Sequence, residues 1–166
     1  MPTLVYFYQD IPTPVGSMGI VVSERGLHSI SWGSFDYKKL QATGARLEDD
    51  HHPLLQKTAV QLSEYFRGER KDFDVPLDSQ GTPFQKAVWH ALTEIPFGAT
   101  ISYRQLAERV GKPTSFRAVA QAVGANPIAI VVPCHRVIGS DGSLTGFAGG
   151  LEAKKTLLTL EGVRYI

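Results

Sequence analysis

The segment Val132-Pro133-Cys134-His135-Arg136-Val137-Ile138-Gly139 holds the only cysteine of the chain, and it follows the continuous apolar run Ile128-Ala129-Ile130-Val131-Val132. A single thiol cannot close an internal disulfide or supply a multi-cysteine zinc site. The apolar run reads as buried backbone. Pro133 fixes its own φ and restricts Val132, which gives the chain after it a defined direction. A thiol held that way, with an imidazole and a guanidinium next in sequence, is a candidate nucleophile. Taken alone, the pair Cys134-His135 reads more readily as a small buried hydrophobe beside a histidine, the ordinary state of a free cysteine.

The first half of the chain has the texture of strands. Leu4-Val5-Tyr6-Phe7-Tyr8, Met18-Gly19-Ile20-Val21-Val22 and Leu27-His28-Ser29-Ile30-Ser31-Trp32 are rich in β-branched and aromatic residues. Ser23-Glu24-Arg25-Gly26 joins the last two as a hairpin turn. Leu54, Leu55, Ala59, Leu62, Tyr65 and Phe66 recur at helical spacing, which predicts a helix from Pro53 to Phe66, stopped by Gly68. Residues 41–52 are polar and predict loop. Residues 71–81, with Pro76, predict an extended linker between two lobes.

The second half predicts helices. Thr82-Pro83-Phe84-Gln85 combines an N-cap, a proline at the first helical position and a glutamine three residues after the cap, opening a helix from Pro83 to about Glu94. Ser102-Tyr103-Arg104-Gln105 is a second capping box, opening a helix to about Val110. After Gly111-Lys112-Pro113-Thr114, a further helix runs from Ser115 to Val123 and ends at Gly124. Two short helices joined by a tight turn match a helix-turn-helix, and the second carries Arg117 followed by Ala118, Val119, Ala120, Gln121 and Ala122. The pattern alone more readily describes an ordinary helical hairpin packing its alanines into a core, because such hairpins are common and this one carries few cations.

Composition narrows the class. With 43% hydrophobic residues in 166, the chain supports a real core, in one domain or two small ones. A net charge of +1 means that any nucleic-acid binding comes from a local basic face. There is no apolar run long enough to span a membrane and no secretory pattern at Met1-Pro2-Thr3-Leu4, so the expectation is a cytoplasmic protein without a membrane partner.

Pro133-Cys134-His135-Arg136-Val137 resembles the active-site signature of the O6-alkylguanine-DNA alkyltransferase family. Five further blocks in the same order carry the resemblance: Ile101-Ser102-Tyr103, Arg117-Ala118-Val119, Asn126-Pro127, Gly146-Phe147-Ala148-Gly149-Gly150-Leu151 and Leu157-Leu158-Thr159-Leu160-Glu161-Gly162. They cover about the last half of the chain. The first half is similar to the family only in length and strand content. The resemblance implies an α/β protein of two lobes. Residues 1–78 would form a ribonuclease-H-like antiparallel sheet with a helix. Residues 79–166 would form a mainly helical domain with the helix-turn-helix and the active site.

The resemblance further implies DNA repair by direct damage reversal. An alkyl group passes irreversibly, once per molecule, from O6-alkylguanine, and from O4-alkylthymine, to Cys134. The base first leaves the duplex through the minor groove. Double-stranded DNA is the implied partner of a monomer, and cooperative binding along DNA is left open. Arg117 would enter the base stack, Tyr103 would serve extrusion and guanine recognition, and Ser115, Ala118 and Gln121 would lie along the DNA. A water would link Cys134 to His135 and Glu161 would orient His135, giving a thiol of depressed pKa. Asn126 would bond backbone between the DNA-binding and active-site segments. Val137, Phe147, Ala148, Gly149 and Lys154 would line the alkyl pocket. Many relatives carry tyrosine in place of Phe147 and serine or glycine in place of Ala148, which leaves the accepted alkyl size undecided. No cofactor and no metal are implied, and the cysteines that hold a structural zinc in some relatives are absent here. His28, His51, His52 and His90 form no ligand-spaced cluster. From the residues alone, Lys154 reads equally as a solvated helix cation, Glu161 more commonly as a solvated carboxylate, and Arg117 as a surface arginine lying over apolar neighbours. Two other functions stay open: a cysteine hydrolase using Cys134 and His135, which would turn over, and a non-catalytic lesion binder, against which the cysteine argues.

Overall fold

The computed structural model describes residues 5–33, 35–48, 52–144 and 146–165. They form two compact units, Met1–Gln80 and Gly81–Ile166. The first is built on a four-stranded sheet of order β3-β2-β1-β4, from strands β1 (Val5–Ile11), β2 (Met18–Ser23), β3 (Gly26–Trp32) and β4 (Arg46–Glu48). β1 and β2 run antiparallel from Tyr6 opposite Ser23 to Ile11 opposite Met18. Every residue of β2 is buried, as the apolar run from Met18 to Val22 requires of a central strand, and the closing Ser23 donates its hydroxyl to Asp78 Oδ2 at 2.7 Å. A short helix, α1 (Tyr37–Gln41), capped by Asp36, precedes β4. Helix α2 (Pro53–Phe66) presents Leu55, Thr58, Gln61, Leu62 and Tyr65 inward at helical spacing. It starts at Pro53 behind a His52 cap and ends before Gly68, at φ +75°. Long helix, hairpin and the first three strands therefore lie where the sequence places them. Leu4, expected in β1, and His51 lie outside the described residues.

Two expectations need correction. Residues 41–52 are not all loop, because β4 pairs parallel to β1, with Val5 opposite Arg46 and Tyr6 opposite Leu47. The antiparallel sheet read from the sequence is β3-β2-β1, and the fourth strand joins it in parallel. Arg46-Leu47-Glu48 carries one apolar residue and so has no period to read, and its pairing comes from the edge that β1 offers. Nor are residues 71–81 a free linker. The Leu27 N–H donates to the Pro76 carbonyl at 2.7 Å and the Asp78 N–H to the Leu27 carbonyl at 2.8 Å, so this stretch closes the open edge of β3. Gly26 makes that possible: at φ +152°, an added Cβ would lie 2.7 Å from the Pro76 oxygen.

The second unit holds helices α3 (Pro83–Thr93), α4 (Tyr103–Arg109), α5 (Phe116–Gly124) and α6 (Leu151–Leu160), with a two-stranded parallel ladder of β5 (Ile101–Ser102) and β6 (Val137–Ile138). Both capping boxes form. Thr82 accepts from the Gln85 N–H at 3.1 Å and Ser102 from the Gln105 N–H at 3.0 Å, and each glutamine returns the bond. α5 includes Gly124, the expected stop, and takes its C-cap at Ala125. Pro127 disfavours the helical conformation for Asn126 before it, so the helix cannot continue further. The buried Trp89 indole N–H donates to the Ala122 carbonyl at 2.8 Å, tying α3 to α5. The Trp89 ring lies so close to Gly81 that a Cβ there would sit 2.5 Å from it.

Candidate active site

The apolar run before the cysteine is buried, as expected, but it is a succession of turns and not a strand. The Val132 N–H bonds the Ile128 carbonyl at 3.0 Å and the Val131 N–H bonds the Ala129 carbonyl at 2.8 Å. Ile130 adopts φ +70°, which costs a β-branched residue on the order of 1–3 kcal/mol. Asn126 holds the turn at both ends. Its Oδ1 accepts from the Ile128 N–H at 3.0 Å and its Nδ2 donates to the Val132 carbonyl at 2.8 Å. Pro133 then leads into a single 3-10 turn, Cys134–Arg136, which runs into β6.

Cys134 is 7% exposed. Burial pushes its thiol pKa up; the Asn126 amide and the Lys154 ammonium oppose the shift without reversing it. The expected depressed pKa is thus corrected: the apolar run that presents the sulfur also desolvates it, and the thiol is protonated at rest. His135 is fully buried, and burial lowers its pKa despite Glu161, so the ring is neutral. His135 Nε2 lies 2.7 Å from Glu161 Oε2. Glu161 also accepts from Arg136 Nε at 2.8 Å and Nη2 at 3.1 Å, while Arg136 Nη1 donates to the Ile95 carbonyl at 2.6 Å. A carboxylate paired with a guanidinium can only accept, which places the imidazole hydrogen on Nε2. The buried Nδ1, with no hydrogen-bond partner among the described residues, is then left as a lone-pair acceptor.

Glu161 sits at the C-terminal cap of α6, buried, and is no solvated carboxylate. Lys154, on the inward face of α6, is likewise no solvated cation. It is 0% exposed, donates to the Val137 carbonyl at 2.7 Å and stands 5.7 Å from the Phe147 ring centre. Burial pushes its pKa down to about 8, and a thiolate formed at Cys134 would oppose that shift. Arg136 is the participant that sequence reasoning missed. The available signal was a guanidinium in an otherwise apolar stretch, which a buried carboxylate has to answer.

Cys134, His135, Glu161, Lys154 and Val137 are therefore brought into one buried cluster, with the half-buried Asn126 at its border. Residues 146–150 form a loop closed by the Gly150 N–H on the Phe147 carbonyl at 2.9 Å, with Phe147 and Gly149 half-buried and Ala148 exposed. Tyr103, half-buried at the start of α4, is carried to the cysteine segment by the β5–β6 ladder, in which Ser102 faces Ile138. Arg117, Ala118 and Gln121 occupy the exposed face of α5, opposite the buried Val119, Ala122 and Val123. Ser115 precedes α5 without capping it, so its hydroxyl is not spent on the helix's own first turn. Exposed Arg104, Arg109 and Lys112 lie on α4 and in the following turn. Among the described residues no group of three or more His, Cys, Asp or Glu side chains converges as a metal site requires, and no helix is long and apolar enough to cross a membrane.

Two family models match the chain. The ribonuclease-like domain of 6-O-methylguanine DNA methyltransferase matches residues 6–79, and the DNA binding domain of 6-O-methylguanine DNA methyltransferase matches residues 83–163. A methylated-DNA–protein-cysteine methyltransferase of Mycolicibacterium paratuberculosis is 58% identical over 155 residues, covering 93% of this chain and 91% of that protein. One of Methanosarcina acetivorans is 44% identical over 156 residues, covering 94% and 98%. Among solved structures, that of Mycobacterium tuberculosis OGT in complex with DNA superposes with a TM-score of 0.82 at 40% identity, covering 93% of this chain and 92% of that one.

Proposed function

The chain belongs to the 6-O-methylguanine DNA methyltransferase family, and from that premise we propose that it repairs DNA by moving an alkyl group from O6-alkylguanine to Cys134. The observation that carries this reading is the buried chain Arg136–Glu161–His135 behind the only thiol. At rest the thiol keeps its proton. As sulfur closes on the alkyl carbon, that proton passes through a water to Nδ1 of His135. The imidazolium so formed is stabilised by Glu161, which still accepts from Nε2. The S–C bond forms while the C–O6 bond breaks. The electron pair goes to O6, and the proton ends on the guanine, which regains its ordinary N1–H keto form. Lys154 adds positive charge beside the developing thiolate. Asn126 holds the strained turn that aims the sulfur.

The product is a thioether with no carbonyl for water to attack, and no second thiol exists to receive the group, so each molecule acts once. A target inside a duplex has to leave the stack first. α5 lies in the minor groove, where Ser115, Ala118 and Gln121 contact the strand and Arg117 fills the space of the departing nucleotide. Tyr103 guides the base toward a pocket of Val137, Phe147, Ala148, Gly149 and Lys154. Small residues at positions 118 and 120 support a close approach. The partner is double-stranded DNA bound by a monomer, and O4-alkylthymine is a second substrate with the same exocyclic alkyl oxygen. The test is Cys134→Ser with a duplex carrying one O6-methylguanine. Retained binding with no methyl transfer is expected. Methyl transfer by the serine variant, or turnover beyond one equivalent by the parent, would refute the assignment.

A further inference from the structure

Phe116 is the exposed aromatic of the helix-turn-helix, with 42% of its surface open. By helical position it stands at the edge of the core-facing side of α5, between the buried Val123 and the exposed Ala120, one residue before Arg117. The Arg104 guanidinium lies 6.0 Å from its ring centre, and Arg117 follows it in sequence. A phenyl ring left this open stabilises the fold less than a fully buried one, since a large part of its area stays in water. It does leave an apolar plate beside the Arg104 guanidinium, within a segment that also carries Arg109, Lys112 and Arg117 and whose family model is a DNA-binding domain.

We propose that Phe116 is a second DNA-contacting group, whose ring stacks on a base at the step opened beside Arg117. The proposal rests on the placement of α5 against DNA given above. Proteins that open the minor groove insert apolar wedges between base steps alongside their cations. Stacking of a base on an aromatic ring is indifferent to which base it is, as repair at any sequence requires. Arg104, held against the ring, keeps a positive charge at the strand while Phe116 meets the base.

The test compares Phe116→Leu, which keeps apolar volume but has no π face, with Phe116→Trp, which keeps one. Each variant is measured for single-turnover repair of an O6-methylguanine duplex with 2-aminopurine beside the lesion, and for reaction with free O6-benzylguanine. Stacking contributions at the low end of the usual range predict a loss of roughly 5- to 10-fold for Phe116→Leu on the duplex. Reaction with the free base should be unchanged, and Phe116→Trp should match the parent on both. The parent should quench 2-aminopurine on binding and Phe116→Leu should not. Phe116→Leu equal to the parent on the duplex, or losing equally on both substrates, overturns the proposal and leaves the proposed function standing. A parent that reacts with the free base but neither binds nor repairs the duplex overturns both.

Discussion

Replacing Glu161 by glutamine removes one charge from a site where three hydrogen bonds converge on a single carboxylate. The amide would still offer one oxygen, but the Arg136 guanidinium, with its side chain 7% exposed, would lose the carboxylate that balances its charge. Breaking a buried ion pair by removing one partner costs about 3–5 kcal/mol, because the other charge is left uncompensated. That is a large share of the roughly 5–15 kcal/mol that holds a protein of this kind folded. Arg136→Met should cost a similar amount for the mirror-image reason. The double variant Glu161→Gln/Arg136→Met should be more stable than the sum of the single effects, by at least about 2 kcal/mol, since it leaves no orphaned charge. Urea unfolding of the four proteins measures this coupling. The kinetics should not follow the stability. In the double variant His135 has lost its carboxylate, so single-turnover alkylation at neutral pH should fall roughly 100-fold, the low end of general-base contributions, even where stability has recovered. Additive stabilities would refute the buried triad, and unchanged rates in a folded double variant would refute the relay through His135.

The pH dependence of stability follows from the buried histidines. Burial depresses the pKa of His135 and of His28, so their contribution is complete above about pH 6.5, the unfolded value, and is lost as pH falls below it, where the unfolded chain takes protons the folded one refuses. Urea midpoints should therefore fall from pH 7 toward 5, and His135→Gln should lose part of that slope, with His28 supplying the rest; an unchanged slope would contradict a neutral buried imidazole. Asn126→Ala should leave the Ile128 N–H and the Val132 carbonyl without their partner and cost about 2–4 kcal/mol, read as a lower melting temperature together with a slower reaction toward free O6-benzylguanine.

Much of the fold is legible in the chain because its signals are local. Thr82-Pro83-Phe84-Gln85 and Ser102-Tyr103-Arg104-Gln105 give their helix starts directly, since a capping box is satisfied within four residues. Cys134, His135 and Glu161 stand in ordered motifs, and the structure brings the last two together across 26 positions of sequence. What stays hidden depends on partners far along the chain. β4 pairs because β1 has an open edge, and residues 76–78 because Gly26 leaves room on β3. Arg136 carries its meaning only when the Ile95 carbonyl and Glu161 arrive around it. The direction of the Cys134 pKa is hidden for the same reason: nearby polar residues are visible in sequence, whereas the depth of burial is not.

The proposed repair reaction makes Cys134 the terminal acceptor of one alkyl group. Intact-protein mass spectrometry after incubation with excess O6-methylguanine duplex, followed by peptide mapping, tests it most directly. The whole population should gain the mass of a single methyl group in place of the thiol hydrogen, confined to the peptide containing Cys134, with demethylated DNA formed in equal amount. An unmodified protein alongside repaired DNA, a second methyl group, or a methyl group on any other residue would contradict it.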